Sequence, residues 1–574
     1  MFESLAPLSA ISPAWPFIAA GLLCFALPWH NVRKALMLLA PTLALMLWFA
    51  PPEQGIYGVI DLGPFQLETY RYDGLSRVWG LVFILVGFIN AVYALHERAR
   101  ISDGSALIYG GAALGAVFAG DFLTLFLFWE ITAIASAPLI FAAGTAAAYR
   151  AGLRYLAIQV LSGVLLLSGA VMWVQQTGDW SFNEIGLGTP AGFIILLSFG
   201  IKAAFPFMHN WLQDSYPKAT PTGAVILSAF TTKMAIYALA RGYAGEDILI
   251  WIGAIMTAFP VFFAVVENDL RRVLAYSLNN QLGFMIAGIG VGTELGLAGA
   301  AAHAFVHIIY KALLFMSMGA VLHRVGSAKA TDLGGLYKSM PITAVFCLIG
   351  ALSISAFPLF SGFVAKALTL SAVLKEGYGI PFLILVFASA GVLEHSGIKI
   401  PYFTFFGHDS GKRPKEAPWN MLVAMGLASF LCIFLGVNYG ALYALMPYDI
   451  EYAPYTFDHI VGQMQLLLAA LFAFTLLVRL KLYPLEKDIT VLDTDWIYRR
   501  FLDGAVRWGS AMSQRLIIAI QIMVAQSAKR FGRKLFNLFS PAGALSRDFP
   551  SGLMALWTAL MLAMVLLVAY FSSV

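Results

Sequence analysis

Long apolar runs, each about the length of a membrane-crossing helix, recur along the whole chain. A bilayer-spanning α-helix needs about 20 consecutive, mostly apolar residues. The pattern therefore predicts an all-α polytopic membrane protein with about 16 transmembrane helices. The predicted helices lie near residues 12–30, 34–50, 74–96, 104–120, 121–142, 152–176, 190–214, 221–242, 247–267, 271–291, 295–323, 341–376, 379–406, 418–446, 456–480 and 551–571.

Charged residues are scarce, and their positions predict an orientation. The chain has 60% hydrophobic and 12% charged residues, whereas soluble domains carry about 25% charged residues. Because cytoplasmic loops are enriched in Lys and Arg, alternating basic loops predict that both termini lie outside. The basic loops hold Arg33/Lys34, Arg98/Arg100, Arg150/Arg154, Lys218, Arg271/Arg272, Arg324/Lys329/Lys338 and Lys412/Arg413/Lys415.

Two predicted helices carry the same interruption. Ala-Phe-Pro occurs at Pro206 and again at Pro358, with Lys202 and Lys366 nearby. Proline breaks the backbone hydrogen-bond ladder of a helix, and broken helices at membrane depth survive only where protein or water satisfies them. Paired interruptions in two halves indicate inverted repeats around an ion path. We therefore predict two inverted five-helix repeats, at residues 104–242 and 247–406.

The regions that flank the repeats complete the predicted domain organisation. Transmembrane helices occupy residues 1–103 before the repeats and 407–483 after them. Residues 484–550 mix apolar and basic side chains, a composition typical of an amphipathic segment lying along a membrane interface. Residues 551–574 then form a final transmembrane helix.

Seven titratable residues lie inside otherwise apolar segments. A charged residue at the bilayer centre costs roughly 2.5–3.5 kcal/mol on insertion scales, so such residues usually serve a function. The set predicts a relay that moves protons or other cations within the membrane. Its members are Glu130, Lys202, Lys233, His303, His307, Lys311 and Lys366.

Glu130 and Lys202 are the predicted coupled pair. Burial raises the pKa of a carboxyl group and a nearby ammonium lowers it, so the separation of the two groups controls the proton affinity of both. The broken helix that carries Lys202 is expected to bring the ammonium towards Glu130. Lys233 lies about three turns into its helix, too deep to reach the surface easily.

His303, His307 and Lys311 follow an i, i+4, i+8 spacing, which places them on one face of a helix. Histidine titrates near neutral pH, so this stripe is expected to conduct protons. A His-x3-His pair can also bind zinc, but no third ligand is evident nearby. Glu394, His395 and Lys399 form either the exit of the path or a satisfied cluster within one helix.

Other classes of site lack sequence support. Cys24, Cys347 and Cys432 each lie in an apolar run without metal-ligand spacing, so no metal is predicted. There is no Walker lysine loop and no GxGxxG after a strand, so no nucleotide cofactor is predicted. No basic run with aromatic residues favours nucleic acid. Covalent chemistry is not expected in this chain.

Several motifs together resemble the antiporter-like membrane subunits shared by Mrp-type cation/proton antiporters, respiratory complex I and membrane-bound hydrogenases. The stretch Thr232-Lys233-Met-Ala-Ile-Tyr is most similar to the D-type subunit of Mrp antiporters, whereas Asp493-Thr-Asp-Trp496-Ile resembles the largest complex I subunit of this type. The motifs are Asp121…Trp129-Glu130, Gly200-Ile-Lys202…Pro206…Trp211-Leu, Pro221-Thr…Thr232-Lys233, Asn268…Gln281-Leu-Gly-Phe, His303…His307…Lys311-Ala-Leu-Leu-Phe and Gly362-Phe-Val-Ala-Lys366.

The resemblance implies a proton/cation-translocating subunit of a multi-subunit Mrp-type Na+/H+ antiporter, in which Glu130 and Lys202 are coupled, Lys233 is a bridge, and Lys311 and Lys366 form a second half-channel. Its expected location is the plasma (inner) membrane of a prokaryote, and its expected partners are small hydrophobic subunits, the lipid bilayer, H+ and Na+. Two alternatives stay open. One is a proton-pumping subunit of a redox complex, which would make it part of a proton-translocating oxidoreductase, and the other is a proton-conducting partner of an uptake protein.

Overall fold

The computed structural model describes residues 9–483, 491–545 and 551–572, and parts of the predicted interfacial segment (484–490 and 546–550) lie outside this range. The chain divides into two units, Met1–Asp493 and Thr494–Val574. Helices make up most of both units, as the apolar runs predict.

The first unit begins with helices that include the first broken one. They are α1 (Ala14–Ala26), α2 (His30–Trp48), α3 (Gly74–Tyr93), α4 (Arg100–Val117), α5 (Phe122–Phe141), α6 (Ala146–Thr177), α7 (Pro190–Ala203), α8 (Asn210–Ser215), α9 (Pro221–Ala229) and α10 (Thr231–Gly242).

The remaining helices of the first unit include the second broken one. They are α11 (Asp247–Val266), α12 (Leu270–Val291), α13 (Glu294–Val325), α14 (Pro341–Ile354), α15 (Ser361–Lys375), α16 (Gly379–Val392), α17 (Lys399–Pro401), α18 (Trp419–Val437), α19 (Tyr439–Tyr443) and α20 (Phe457–Arg479). The second unit contains a π-helical turn (Ile497–Phe501), the 38-residue helix α21 (Leu502–Phe539) and α22 (Ser551–Ser572).

Ten helical segments of the described residues are long and apolar enough to cross a membrane, and three shorter apolar helices accompany them. Each of the sixteen predicted segments contains a helix. The prediction of a mostly helical membrane protein is therefore confirmed, while the number of crossings stays a prediction.

A β-hairpin between α2 and α3 was not predicted from the sequence. Strands β1 (Gly55–Leu62) and β2 (Phe65–Tyr72) pair antiparallel around the Gly63-Pro64 turn. The β-branched and aromatic residues on both sides of this turn are typical of a hairpin. The hairpin holds the start of α5 in place, because the Glu68 backbone N–H donates to Asp121 Oδ2 at 2.7 Å.

The first helix break follows α7 at Pro206. Ala204 and Phe207 both have positive φ angles, 62° and 67°, a conformation that costs residues other than glycine roughly 1–3 kcal/mol unless their surroundings fix it. Trp211 Nε1 donates to the Ile201 carbonyl at 2.9 Å, which satisfies an acceptor freed by the break.

The second break, at Pro358 between α14 and α15, has the same backbone conformation. Ala356 and Leu359 occupy the positions equivalent to those of the first break and have φ angles of 56° and 75°. The same residue order and the same alternation of φ signs thus occur twice. This local similarity is the kind expected of two related repeats.

Arg33 and Lys34 are buried within α2, which corrects their assignment to a loop. Arg33 Nε and Lys34 Nζ lie 3.1 Å and 2.5 Å from the two carboxylate oxygens of Asp103 on α4. The Arg33 guanidinium also donates to the carbonyls of Pro28 and Arg98. These two cations therefore tie α2 to α4.

Replacing Asp103 by asparagine is expected to lower the free energy of unfolding by about 3–5 kcal/mol, because it leaves buried cations without their counter-ion. Unfolding by sodium dodecyl sulfate in mixed micelles measures the change. Asp61→Asn on the exposed hairpin is the control, and its effect should stay within about 0.5 kcal/mol. Equal stability of the two variants would contradict a stabilising role for the Asp103 cluster.

Candidate ion-translocation path

Lys202 lies in the last turn of α7 and is completely buried. Its ammonium donates to the Trp129 carbonyl at 2.6 Å and to Thr132 Oγ1 at 2.9 Å, and lies 4.5 Å from the centre of the Trp129 ring. The break after α7 thus brings the ammonium onto α5, beside the turn that carries Glu130.

Glu130 itself forms no direct ion pair with Lys202 among the described residues. Its Oε1 atom is buried and has no hydrogen-bond partner in the described part of the chain. The carboxyl group faces Gly163 of α6, where an added Cβ would overlap it. The ammonium of Lys202, from α7, is therefore bonded to the turn of α5 that carries Glu130, and not to the Glu130 carboxylate itself.

Lys233 lies just after a discontinuity between α9 and α10. Its fully buried ammonium donates to the Ser228 carbonyl at 2.6 Å. Trp79 Nε1 of α3 donates to the Lys233 carbonyl at 3.0 Å. The junction frees a carbonyl within the protein, and the lysine ammonium satisfies it.

The predicted stripe on α13 is fully buried and faces α12. His303 Nε2 lies 3.1 Å from both Gln281 Oε1 and Tyr310 Oη. The rings of His303 and His307 are 6.2 Å apart between centroids. Lys311 Nζ donates to Ser277 Oγ at 2.9 Å.

His307 has no hydrogen-bond partner on either ring nitrogen within the described residues. The stripe is therefore a series of buried polar groups in which several ring nitrogens have no hydrogen-bond partner among the described residues. Such groups normally have partners inside proteins, so this stripe is an exception to the usual pattern of buried polar groups.

Lys366 lies in α15, beyond the second break. Its ammonium donates to the Ile354 carbonyl at 2.8 Å and lies 5.2 Å from the centre of the Phe284 ring. Ile354 is the last residue of α14, so this lysine satisfies a carbonyl that the break has freed. Lys233 and Lys366 thus each donate to a carbonyl at an interruption between two helices.

Sequence reasoning missed the polar side chains of α12. Ser277, Asn280 and Gln281 are fully buried, and Gln281 also accepts from Tyr310. Asn279 is buried as well, and neither atom of its amide has a partner in the described part of the chain. A run of polar residues within an apolar helix was the signal that could have identified them.

The predicted exit group lies where α16 widens into a π-helix over Leu393–Ile398. Lys399 donates to the carbonyls of Ala264, Val265 and Glu267, at 3.3, 2.6 and 2.7 Å. A cation at the C-terminal end of α11 complements the helix dipole. Glu394 is half-buried, and His395 is fully buried with its Nδ1 atom 2.8 Å from Ser396 Oγ.

The described residues form a mostly helical membrane protein with lysines and histidines buried along interrupted helices. The comparisons with known proteins specify the family. Residues 119–393 match the family model "NADH:quinone oxidoreductase/Mrp antiporter, TM". The D-type subunit of the Na(+)/H(+) antiporter of Alkalihalophilus pseudofirmus is 33% identical over 63% of this chain and 75% of its own length. The chain belongs to the NADH:quinone oxidoreductase/Mrp antiporter family of membrane proteins.

A second relative and a solved structure extend the comparison. Hydrogenase-4 component B of Escherichia coli is 27% identical over 68% of this chain and 64% of its own length. The chain spans 40% to 64% of three of the curated relatives that it matches. A chain in the Mrp complex of a Dietzia species has the same fold, with a TM-score of 0.69, 22% identity, and coverage of 81% of this chain and 99% of that one.

Proposed function

We propose that the chain is the proton/cation-translocating subunit of a multi-subunit Mrp-type Na+/H+ antiporter. The observation that carries the proposal is the series of fully buried lysines and histidines on α7, α10, α13 and α15, which begins beside Glu130 on α5. The similarity to the D-type subunit of a Na(+)/H(+) antiporter supports Na+ as the second ion.

In the proposed mechanism, Lys202 alternates between two states. When its ammonium bonds the Trp129 carbonyl, the Glu130 carboxylate accepts a proton or a cation. When the ammonium turns towards Glu130, the attraction between opposite charges favours the ionised carboxylate, and the bound ion leaves. Lys233, His303, His307, Lys311 and Lys366 pass the charge displacement on through the second half.

The proposed architecture has 16 transmembrane helices in a prokaryotic plasma membrane, with both termini outside and inverted repeats at residues 104–242 and 247–406. The equivalent backbone conformations at Pro206 and Pro358 support the repeats. Glu394 and Lys399 are proposed to contribute to the exit, with Lys399 also capping α11.

A redox-driven proton pump is the second candidate. The similarity to hydrogenase-4 component B favours it, because the same buried residues would serve either energy source. A proton-conducting partner of an uptake protein remains a third proposal that the relay geometry equally permits.

Co-purification from native membranes tests the proposal. A tagged chain extracted in a gentle detergent is expected to bring small hydrophobic antiporter subunits, identified by mass spectrometry. An otherwise identical preparation from untagged cells is the control. Co-purifying iron–sulfur or quinone-site subunits would instead overturn the antiporter assignment in favour of the redox pump, and a single soluble partner would favour the uptake system.

A further inference from the structure

Three side chains beyond Lys311 continue the path in a direction that neither the family motifs nor the proposed mechanism uses. The π-helical turn at Leu393–Ile398 places His395 and Ser396 next to α12. Turns of π-helix inside α-helices are rare and occur frequently at functional sites, because they shift a side chain out of the regular helical register. Here the shifted residues are polar and fully buried.

A continuous set of hydrogen bonds joins Lys311 to His395. Lys311 Nζ lies 2.9 Å from Ser277 Oγ, Ser277 Oγ lies 2.7 Å from Ser396 Oγ, and Ser396 Oγ lies 2.8 Å from His395 Nδ1. The four residues come from α13, α12 and the π-helical turn, and each is fully buried. The chain of hydrogen bonds therefore crosses three separate segments without contacting solvent.

The far end of this set is an unused ring nitrogen. His395 Nε2 is buried and has no hydrogen-bond partner within the described residues. A purely structural histidine at full burial would be expected to satisfy both nitrogens. A histidine that takes up a proton on one nitrogen and releases one from the other needs a second nitrogen that is available.

We infer that His395 is a proton-carrying residue at the end of a branch that runs from Lys311 through the hydroxyl groups of Ser277 and Ser396. The inference deepens the proposed function and rests on it. Ser396 directly follows His395 in the chain, so the same π-helical turn positions both residues of the branch.

The transfer balances without any further reactant. The Lys311 ammonium gives a proton to Ser277 Oγ, Ser277 gives its hydroxyl proton to Ser396 Oγ, and Ser396 gives its own to His395 Nδ1. Both serines end as neutral hydroxyls, Lys311 becomes a neutral amine, and His395 becomes an imidazolium. In the structure Lys311 Nζ and Ser396 Oγ both donate to Ser277 Oγ. For transfer towards His395, the hydroxyl protons of Ser277 and Ser396 therefore first rotate towards Ser396 and His395, which hydroxyl groups can do without movement of the helices.

Charges around His395 make this proton a transient one. Lys311 lies at the other end of the hydrogen-bonded set, Lys399 follows His395 by four residues, and Glu394 precedes it in the same turn. Transfer from Lys311 removes one of the two positive charges, whereas Lys399 opposes a long-lived imidazolium. His395 is therefore suited to pass a proton on rather than to store it.

The test is transport by the assembled complex in proteoliposomes, followed with a pH-sensitive dye and normalised to the amount of assembled chain. His395→Gln, Ser277→Ala and Ser396→Ala are each expected to slow proton movement at least about 100-fold, the lower end of effects seen on removing a proton-transfer group. Ser317→Ala is the matched control. Ser317 is fully buried on the helix that carries Lys311, but among the described residues its hydroxyl bonds Leu313 and Met425 and no member of the branch.

A conservative pair separates proton transfer from packing. Ser396→Thr retains a hydroxyl and should recover most of the rate that Ser396→Ala loses, and this pair decides the matter if His395→Gln fails to assemble. Wild-type transport in assembled His395→Gln, or equal rates for Ser396→Ala and Ser396→Thr, would overturn the branch. Lys202→Ala in the same assay distinguishes the two proposals, since its full activity would remove the proposed function as well.

Discussion

Lys202→Ala is expected to abolish proton-coupled transport while the chain still assembles with its partners. The ammonium of Lys202 contacts α5 on both sides of Glu130, through the Trp129 carbonyl and Thr132 Oγ1. Its removal deprives the Glu130 carboxylate of a charge positioned to change its proton affinity. We expect the rate of ion exchange in proteoliposomes to fall at least about 100-fold, as for loss of a general acid or base.

Two further variants make this prediction specific. Lys202→Arg keeps a positive charge, but its larger, planar guanidinium presents its donors in a rigid fork and cannot make the same turn between the Trp129 carbonyl and Glu130, so it should be nearly as inactive as Lys202→Ala. Lys375→Ala is the control, because Lys375 also lies at a helix end, in the last turn of α15, yet is exposed. Full transport by Lys202→Arg would mean that only a fixed charge is needed, and full transport by Lys202→Ala would refute the relay.

The positions of three buried lysines could be predicted from the sequence, whereas the partners of these lysines could not. Lys202, Lys233 and Lys366 stand out because a lysine within an apolar run is costly. Their ammonium groups, however, donate to the carbonyls of Trp129, Ser228 and Ile354. Every residue has a backbone carbonyl, so no pattern of side chains identifies the carbonyl that a buried lysine will bond.

Local irregularities account for the other differences between prediction and structure. Hydrophobic runs predict helices, but the π-helical turn that turns His395 and Ser396 towards α12 changes register without changing composition. Arg33 and Lys34 fit the expected pattern of basic loops, and only the position of Asp103 on α4 reveals that they are buried. The pairing of distant side chains depends on how helices pack, which a hydropathy pattern does not specify.

Gly163→Ala is expected to impair transport although it adds a single methyl group. An added Cβ would overlap Oε1 and Cδ of Glu130, so the carboxyl group must leave its present position. Displacing a reacting group by about 1 Å can reduce a rate about 100-fold. Replacing a glycine within a helix by alanine normally favours the helix by roughly 0.5–1 kcal/mol, so the lost transport cannot come from a weakened α6.

A double-mutant cycle tells displacement of Glu130 apart from other effects of the methyl group. Glu130→Asp alone should be damaging, because it withdraws the carboxylate, but in the Gly163→Ala background the shorter side chain relieves the overlap. The two losses should therefore not add, as expected for residues in contact. Gly462→Ala on α20 is the control, since nothing lies near its added Cβ. Additive losses would mean that Gly163 acts elsewhere, and undiminished transport by Gly163→Ala would mean that Glu130 need not occupy this position when ions move.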